Sequence, residues 1–138
     1  MNDKIIEQIK IHEGFKGNVY KCTEGKNTIG YGRNLDANPI TEKEAEFLLL
    51  NDLKKVEQQV DDIFMCYESL NHARQAVLID MCFNIGLTGL RRFVNMFMAL
   101  DNEDFEKASR EMLDSRWAKQ VGYRALKLSK QMKTGEFQ

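Results

Sequence analysis

The sequence predicts an α+β protein, mostly α. Two observations carry this. Apolar residues recur at helical spacing through most of the chain, and the period changes only once, in the glycine-punctuated stretch "HEGFKGNVYKCTEGKNTIGYG" at residues 12–32. The 138 residues, 43% of them hydrophobic, suffice for a real core and argue against disorder. We read residues 1–138 as a single domain with two lobes. One is a β-hairpin with a connecting helix, over roughly 13–63; the other is helical, over 64–138, and takes in 1–12.

The elements follow in order. Asn2 or Asp3 caps a first helix with Ile5, Ile6 and Ile9 on one side. Glu13 falls near its end and Gly14 stops it. "NVYKC" and "NTIGYG" are β-prone, and "TEGK" between them supplies the glycine of a turn, so a hairpin is expected over roughly 18–32. "NLDANPI" is read as a loop, with the only proline, Pro39. Thr41-x-x-Glu44 has the capping-box pattern and opens a long helix. Ala45, Leu48, Leu49, Leu53, Val56, Val60 and Phe64 keep its apolar period, and its length could join two lobes. Asn71 caps a third helix, apolar around most of its circumference and therefore expected to be central. Gly86 and Gly89 are expected to end it, with shorter helices near 90–99, 102–113, 115–120 and 123–132.

Charge and cysteine content narrow the functional classes. Residues 36–68 carry nine acids against three lysines, whereas residues 110–133 carry seven bases against two acids. The basic C-terminal segment reads as a solvated helix surface or as an attractor for a polyanion. It has no recognised nucleic-acid docking motif, so no nucleic-acid partner is expected. No apolar run approaches the roughly 20 residues of a membrane span, and the N-terminus lacks the pattern of a secretory signal. The expected location is therefore the cytoplasm, without stable membrane insertion. Cys22, Cys66 and Cys82 have neither zinc-site nor disulfide spacing and read as reduced thiols, Cys66 and Cys82 as small buried apolar residues. No metal cluster, phosphate loop or nucleophile elbow is present, so neither metal nor cofactor is expected.

The candidate chemistry centres on Glu13, Cys22 and Thr28. A hairpin folded back on the helix end, with Cys22 and Thr28 on its two strands, could bring all three to one cleft. A cleft glutamate becomes a general acid when desolvation raises its pKa. A hydroxyl and a thiol opposite can hold a water. On physics alone the bland reading, a solvated helix-end glutamate, carries more weight. His12 and His72 read as surface or boundary residues, and Trp117 as a core anchor rather than a sugar platform.

The same residues resemble a known family. The run Glu13-Gly14, a spacer ending in Tyr20-Lys21, Cys22, then Thr23-x-Gly25-x-x-Thr28-Ile29-Gly30-x-Gly32 is similar to the opening motif of the phage-type lysozymes, glycoside hydrolase family 24. "ITEKEAEFLLLNDL", "ARQAVLIDMCFNIGLTGLRRF" and "SRWAKQVGYRALKLSKQMKTGEF" resemble its long interdomain helix, its buried central helix and its C-terminal segment. The resemblance thus covers nearly the whole chain.

It implies a lysozyme-like fold: a small N-terminal β-hairpin lobe joined by a long helix to a helical C-terminal lobe. It implies an endolysin that hydrolyses the β-1,4 bond between N-acetylmuramic acid and N-acetylglucosamine in peptidoglycan. Glu13 corresponds to the general acid, and Cys22 and Thr28 to the other two triad positions. Gly30, Phe83, Asn84 and Arg124 correspond to substrate-binding positions, Arg124 as the basic partner of the glutamate. The partners implied are glycan strands and a holin-type pore giving a monomeric enzyme access to the wall from the host cytoplasm. A wall-binding module that kept the fold is the alternative.

Four departures stand out. The T-even branch of the family has aspartate where Cys22 stands, although other members have cysteine. A free thiol, with a pKa of about 8.5, orients a water better than it deprotonates one; a covalent thio-glycosyl intermediate is the other role open to it. An inverting reaction needs room for that water, with roughly 6.5–9.5 Å between the two catalytic groups. "RNLDANP" is shorter than the family's segment after the hairpin. Arg33 replaces a histidine, so a pairing with Asp52 should differ. Asn84 is one carbon shorter than the family's glutamine.

Overall fold

The computed structural model describes residues 1–138. It is an α+β fold, mostly helical, with one small antiparallel sheet near the N-terminus. The chain forms two compact units, Met1–Leu48 and Leu49–Gln138.

In the first unit, α1 (Asp3–Glu13) starts where Asn2 Oδ1 accepts the Lys4 N–H at 2.9 Å. β1 (Lys16–Lys21), β2 (Asn27–Gly30) and β3 (Arg33–Asn34) follow, paired in that order. The sheet is larger than the expected hairpin, because β3 pairs Thr28 with Asn34 and Ile29 with Arg33. Two residues between Gly32 and a polar turn are too few to show alternation. A register irregularity lies between Lys16 and Tyr20 in β1.

Polar side chains hold the segment after β3. Asn34 Oδ1 accepts from the Asp36 and Ala37 N–H groups, and Asp36 accepts from both the backbone and side-chain amides of Asn27. Arg33 donates to Glu44 Oε1 at 2.6 Å and to the carbonyls of Asn38 and Pro39 at 2.9 and 2.7 Å. Its acidic partner is thus Glu44. Only Thr28 is buried in this unit, which relies on such polar ties and not on an apolar core.

The long helix α2 (Glu42–Ile63) begins as expected: Thr41 N–H donates to Glu44 Oε2 at 2.8 Å and Glu44 N–H to Thr41 Oγ1 at 3.2 Å. Its apolar face is buried only toward its C-terminal end, at Val60 and then Phe64.

The second unit holds the core. After a 3₁₀ turn at Tyr67–Ser69 come α3 (His72–Arg91), α4 (Val94–Asp101), α5 (Phe105–Leu113), α6 (Arg116–Val121) and α7 (Tyr123–Thr134). Gly86, at φ 77°, breaks α3 but does not end it, and the helical turns resume to Arg91, so the next helix starts at Val94 and not near 90. α5 packs on α4 and α7, and α3 on α7. Val77, Leu78, Met81, Met96, Met112 and Met132 are fully buried between them. Methionine's flexible chain suits the irregular gaps between short helices. The termini of α3 and α7 are clasped. Arg74 donates to the Met132 and Lys133 carbonyls at 2.8 and 3.1 Å, Asn71 Nδ2 donates to Gly135 O at 2.9 Å, and the Arg74 guanidinium stacks 3.5 Å over the Phe105 ring.

Candidate active site

Glu13 is the last residue of α1. Gly14 follows at φ 68° and returns its N–H to Lys10 O at 2.9 Å. The sheet docks on this helix end. The Phe15 and Tyr31 rings lie 5.7 Å apart, and Lys10 Nζ sits 5.9 Å from the Tyr31 ring centre. The Glu13 carboxylate rests against Gly32: a Cβ there would stand 2.6 Å from Oε2. Gly32 also has φ +74°, so it answers two demands at once. The close approach that this glycine permits is to Glu13 itself.

Cys22 and Thr28 are joined through one carbonyl. Lys26 O accepts the Cys22 N–H at 3.0 Å and the Thr28 hydroxyl at 2.9 Å. Thr28 lies on the central strand and is buried. Cys22 is not on a strand as expected. It opens the turn after β1, and its carbonyl accepts the Gly25 N–H at 2.8 Å. That turn aims backbone amides at the sulfur. The backbone amides of Lys26 and Glu24, with a smaller contribution from the nearby Thr28 hydroxyl, hold the thiol below its ordinary pKa against the opposing effect of desolvation. The hairpin's own amides therefore leave more of Cys22 as thiolate near neutral pH than an ordinary cysteine would show. Gly30, at φ +69°, has open space where a side chain would project.

The other predicted residues lie in the second unit. Phe83 and Asn84 share a face of α3 with Asp80, three and four residues earlier. Arg124, in the first turn of α7, donates to Asp80 Oδ1 from Nε at 2.8 Å, and its Nη2 stands 2.6 Å from the same oxygen as an ion pair. Phe83 is 46% exposed. Asn84 Oδ1 accepts the Trp117 indole N–H at 2.8 Å. Trp117 is 4% exposed and packs edge-on against Phe93, so it is a core residue with a polar tip. A groove of about 640 Å³ in this unit is lined by residues that include Ile85, Arg92, Phe93, Arg116 and Trp117, and by none of the predicted site residues. Sequence reasoning missed Asp80 and the second role of Gly32. The signal for Asp80 was the one acid on α3, one turn before Phe83 and amid its apolar residues.

A sequence profile described as phage lysozyme matches residues 10–133. The chain belongs to the phage lysozyme family. It is similar to the probable T4-type lysozyme 1 of Dictyostelium discoideum, 26% identical over 98% of this chain and 96% of that protein. It is similar to an endolysin of Acyrthosiphon pisum secondary endosymbiont phage 1, 27% identical over 86% of this chain and 80% of that one. It also matches the pre-baseplate central spike protein Gp5 of Enterobacteria phage T4, 28% identical over 99% of this chain, which spans only 29% of that longer protein. As a phage lysozyme the chain is a glycoside hydrolase with peptidoglycan as its substrate, which decides for the enzyme over the wall-binding module. No helix of this lysozyme is long and apolar enough to cross a membrane.

Proposed function

We propose that this lysozyme is a muramidase acting in host cell lysis. It cleaves the β-1,4 bond between N-acetylmuramic acid and N-acetylglucosamine, with Glu13 as general acid. Glu13 donates its proton to the glycosidic oxygen as the bond to the anomeric carbon breaks. Cys22 and Thr28 position the water that attacks that carbon, and the lowered thiol pKa leaves more of the sulfur as thiolate, an acceptor for a hydrogen bond from that water. Gly30, Phe83, Asn84 and Arg124 bind the glycan. Arg124 supplies a cation to the glycan, and its tie to Asp80 limits its rotamers. The two compact units act as one lysozyme-like domain with residues 1–12 counted to the helical lobe. The enzyme works as a monomer without cofactor, binds no nucleic acid, and waits in the host cytoplasm until a holin-type pore gives access to the periplasm or cell wall.

The observation that carries this reading is the joint support of the triad. Glu13 is seated against Gly32, and Cys22 and Thr28 share the Lys26 carbonyl at the turn between β1 and β2. The deciding experiment is release of reducing ends from purified peptidoglycan by Glu13→Gln. A loss of at least about 10²-fold is expected for removal of the general acid. Turnover near the unsubstituted level would remove Glu13 from the mechanism.

A further inference from the structure

We propose that Trp117 is a positioning residue for substrate: it fixes the Asn84 amide so that Nδ2 faces outward and α3 recognises a carbonyl or carboxylate oxygen, as on an N-acetyl group. The inference rests on the reading of Asn84 as a glycan-binding residue.

An asparagine amide has an acceptor end and a donor end, and a half-turn exchanges them. Which end meets a ligand depends on what holds the other. Asn84 Oδ1 is held by the Trp117 indole N–H at 2.8 Å. An indole N–H is donor only, and a buried one must find an acceptor. Trp117 is 4% exposed, and its N–H would face a second donor if the amide turned over. The unflipped state therefore dominates, and the exposed Asn84 presents its NH₂ group.

The indole is itself held in place. Phe93 packs against it at 6.0 Å and 84° between ring planes. Ser115 Oγ caps α6 by accepting the Ala118 N–H at 3.1 Å while donating to Met112 O at 2.7 Å. A fixed cap, a fixed indole and a fixed amide thus form one chain of support. Arg124, tied to Asp80, contributes further donors. Ligand oxygens match such a surface, whereas ligand N–H groups do not.

The test uses the full chain, steady-state kinetics on soluble peptidoglycan strands, and the emission of Trp117, the only tryptophan. The variants are Trp117→Phe, Asn84→Ala, their double variant, and Asn84→Asp. Trp117→Phe is expected to raise KM about 3- to 10-fold, the worth of one oriented hydrogen bond, with a much smaller change in kcat. Adding Asn84→Ala to it should cost little more, because one interaction chain is already broken. Asn84→Asp keeps an acceptor for the indole but replaces the outward donors with an oxygen. It should leave the emission unshifted and raise KM as much as Asn84→Ala does.

A normal KM for Asn84→Asp with unshifted emission would overturn the proposal even if Trp117→Phe failed to fold. Fully additive single effects would overturn it as well. If Asn84→Ala itself left KM unchanged, the glycan-binding role of Asn84 would fall, and the positioning role with it. Loss of activity in Glu13→Gln with normal KM values for folded Trp117→Phe would leave the muramidase reading standing and remove this inference alone.

Discussion

The Glu13 carboxylate occupies the space that a side chain on Gly32 would need, with Oε2 2.6 Å from an ideal Cβ. The atom in the way is the far end of a flexible side chain. It can move at little cost to folding, but the moved atom is the proposed proton donor. Gly32→Ala is therefore expected to divide its effects. The positive φ of +74° should cost about 1–2 kcal/mol of stability. Displacement of the carboxylate should cost up to about 10²-fold in kcat. Gly25→Ala, at φ +75° in open space, gives the stability loss from backbone strain alone. Thermal unfolding and reducing-end release on the same samples check the division; equal kcat losses per degree of destabilisation would refute it.

Cys22 and Cys82 should differ sharply toward alkylation. Backbone amides lower the Cys22 pKa from 9.0, so its thiolate forms at lower pH than an ordinary cysteine's. Burial raises that of Cys82. Peptide-level mass spectrometry of iodoacetamide labelling should find Cys22 modified first near neutral pH, with a rate midpoint below pH 9.0. Hydrolysis should be lost in step with Cys22 labelling, and Cys22→Ser should be insensitive to the reagent. Faster labelling of Cys82 in the native protein would contradict the arrangement.

Glu44 gives an acid-side prediction. The Thr41 N–H and the Arg33 guanidinium hold its carboxyl below the ordinary 4.5. A depressed folded-state pKa contributes stability that is complete above the unfolded value and disappears as pH falls through the folded one. Glu44→Gln should therefore lower the urea midpoint at pH 7 and flatten its dependence below pH 4.5. An unchanged acid slope would mean that the Arg33–Glu44 pair does not couple to folding.

Arg74 predicts a core-side effect. Arg74→Ala removes two hydrogen bonds to the α7 terminus and the stack on Phe105. Equilibrium unfolding in urea should register a loss of about 2 kcal/mol. Arg74→Lys should recover only part, because an ammonium cannot reproduce the planar fork and the stack together. Full recovery by lysine would assign the effect to charge alone.

Local chemistry was legible in the sequence. The end of α1 at Glu13 and Gly14, the turn around Gly25, the box of Thr41 and Glu44, and the Asn71 cap all rest on groups within four residues of one another. Their geometry follows from backbone dihedrals and short side chains, so the residue types alone determine them. The family motif extended this to the candidate site, because it names positions without needing their contacts. What lay beyond reach was decided at longer range. Arg33 chose Glu44, Arg124 chose Asp80 and Trp117 chose Asn84, across 11, 44 and 33 residues. Gly32 faces a carboxylate that only the docking of the sheet on α1 brings to it. Such pairings depend on how whole elements rotate and pack, and a shift of an ångström would dissolve each of them. The sequence by itself thus determined most of the elements and the family they belong to, though not β3 or the start of α4. Tertiary packing alone decided which polar atom each functional side chain holds.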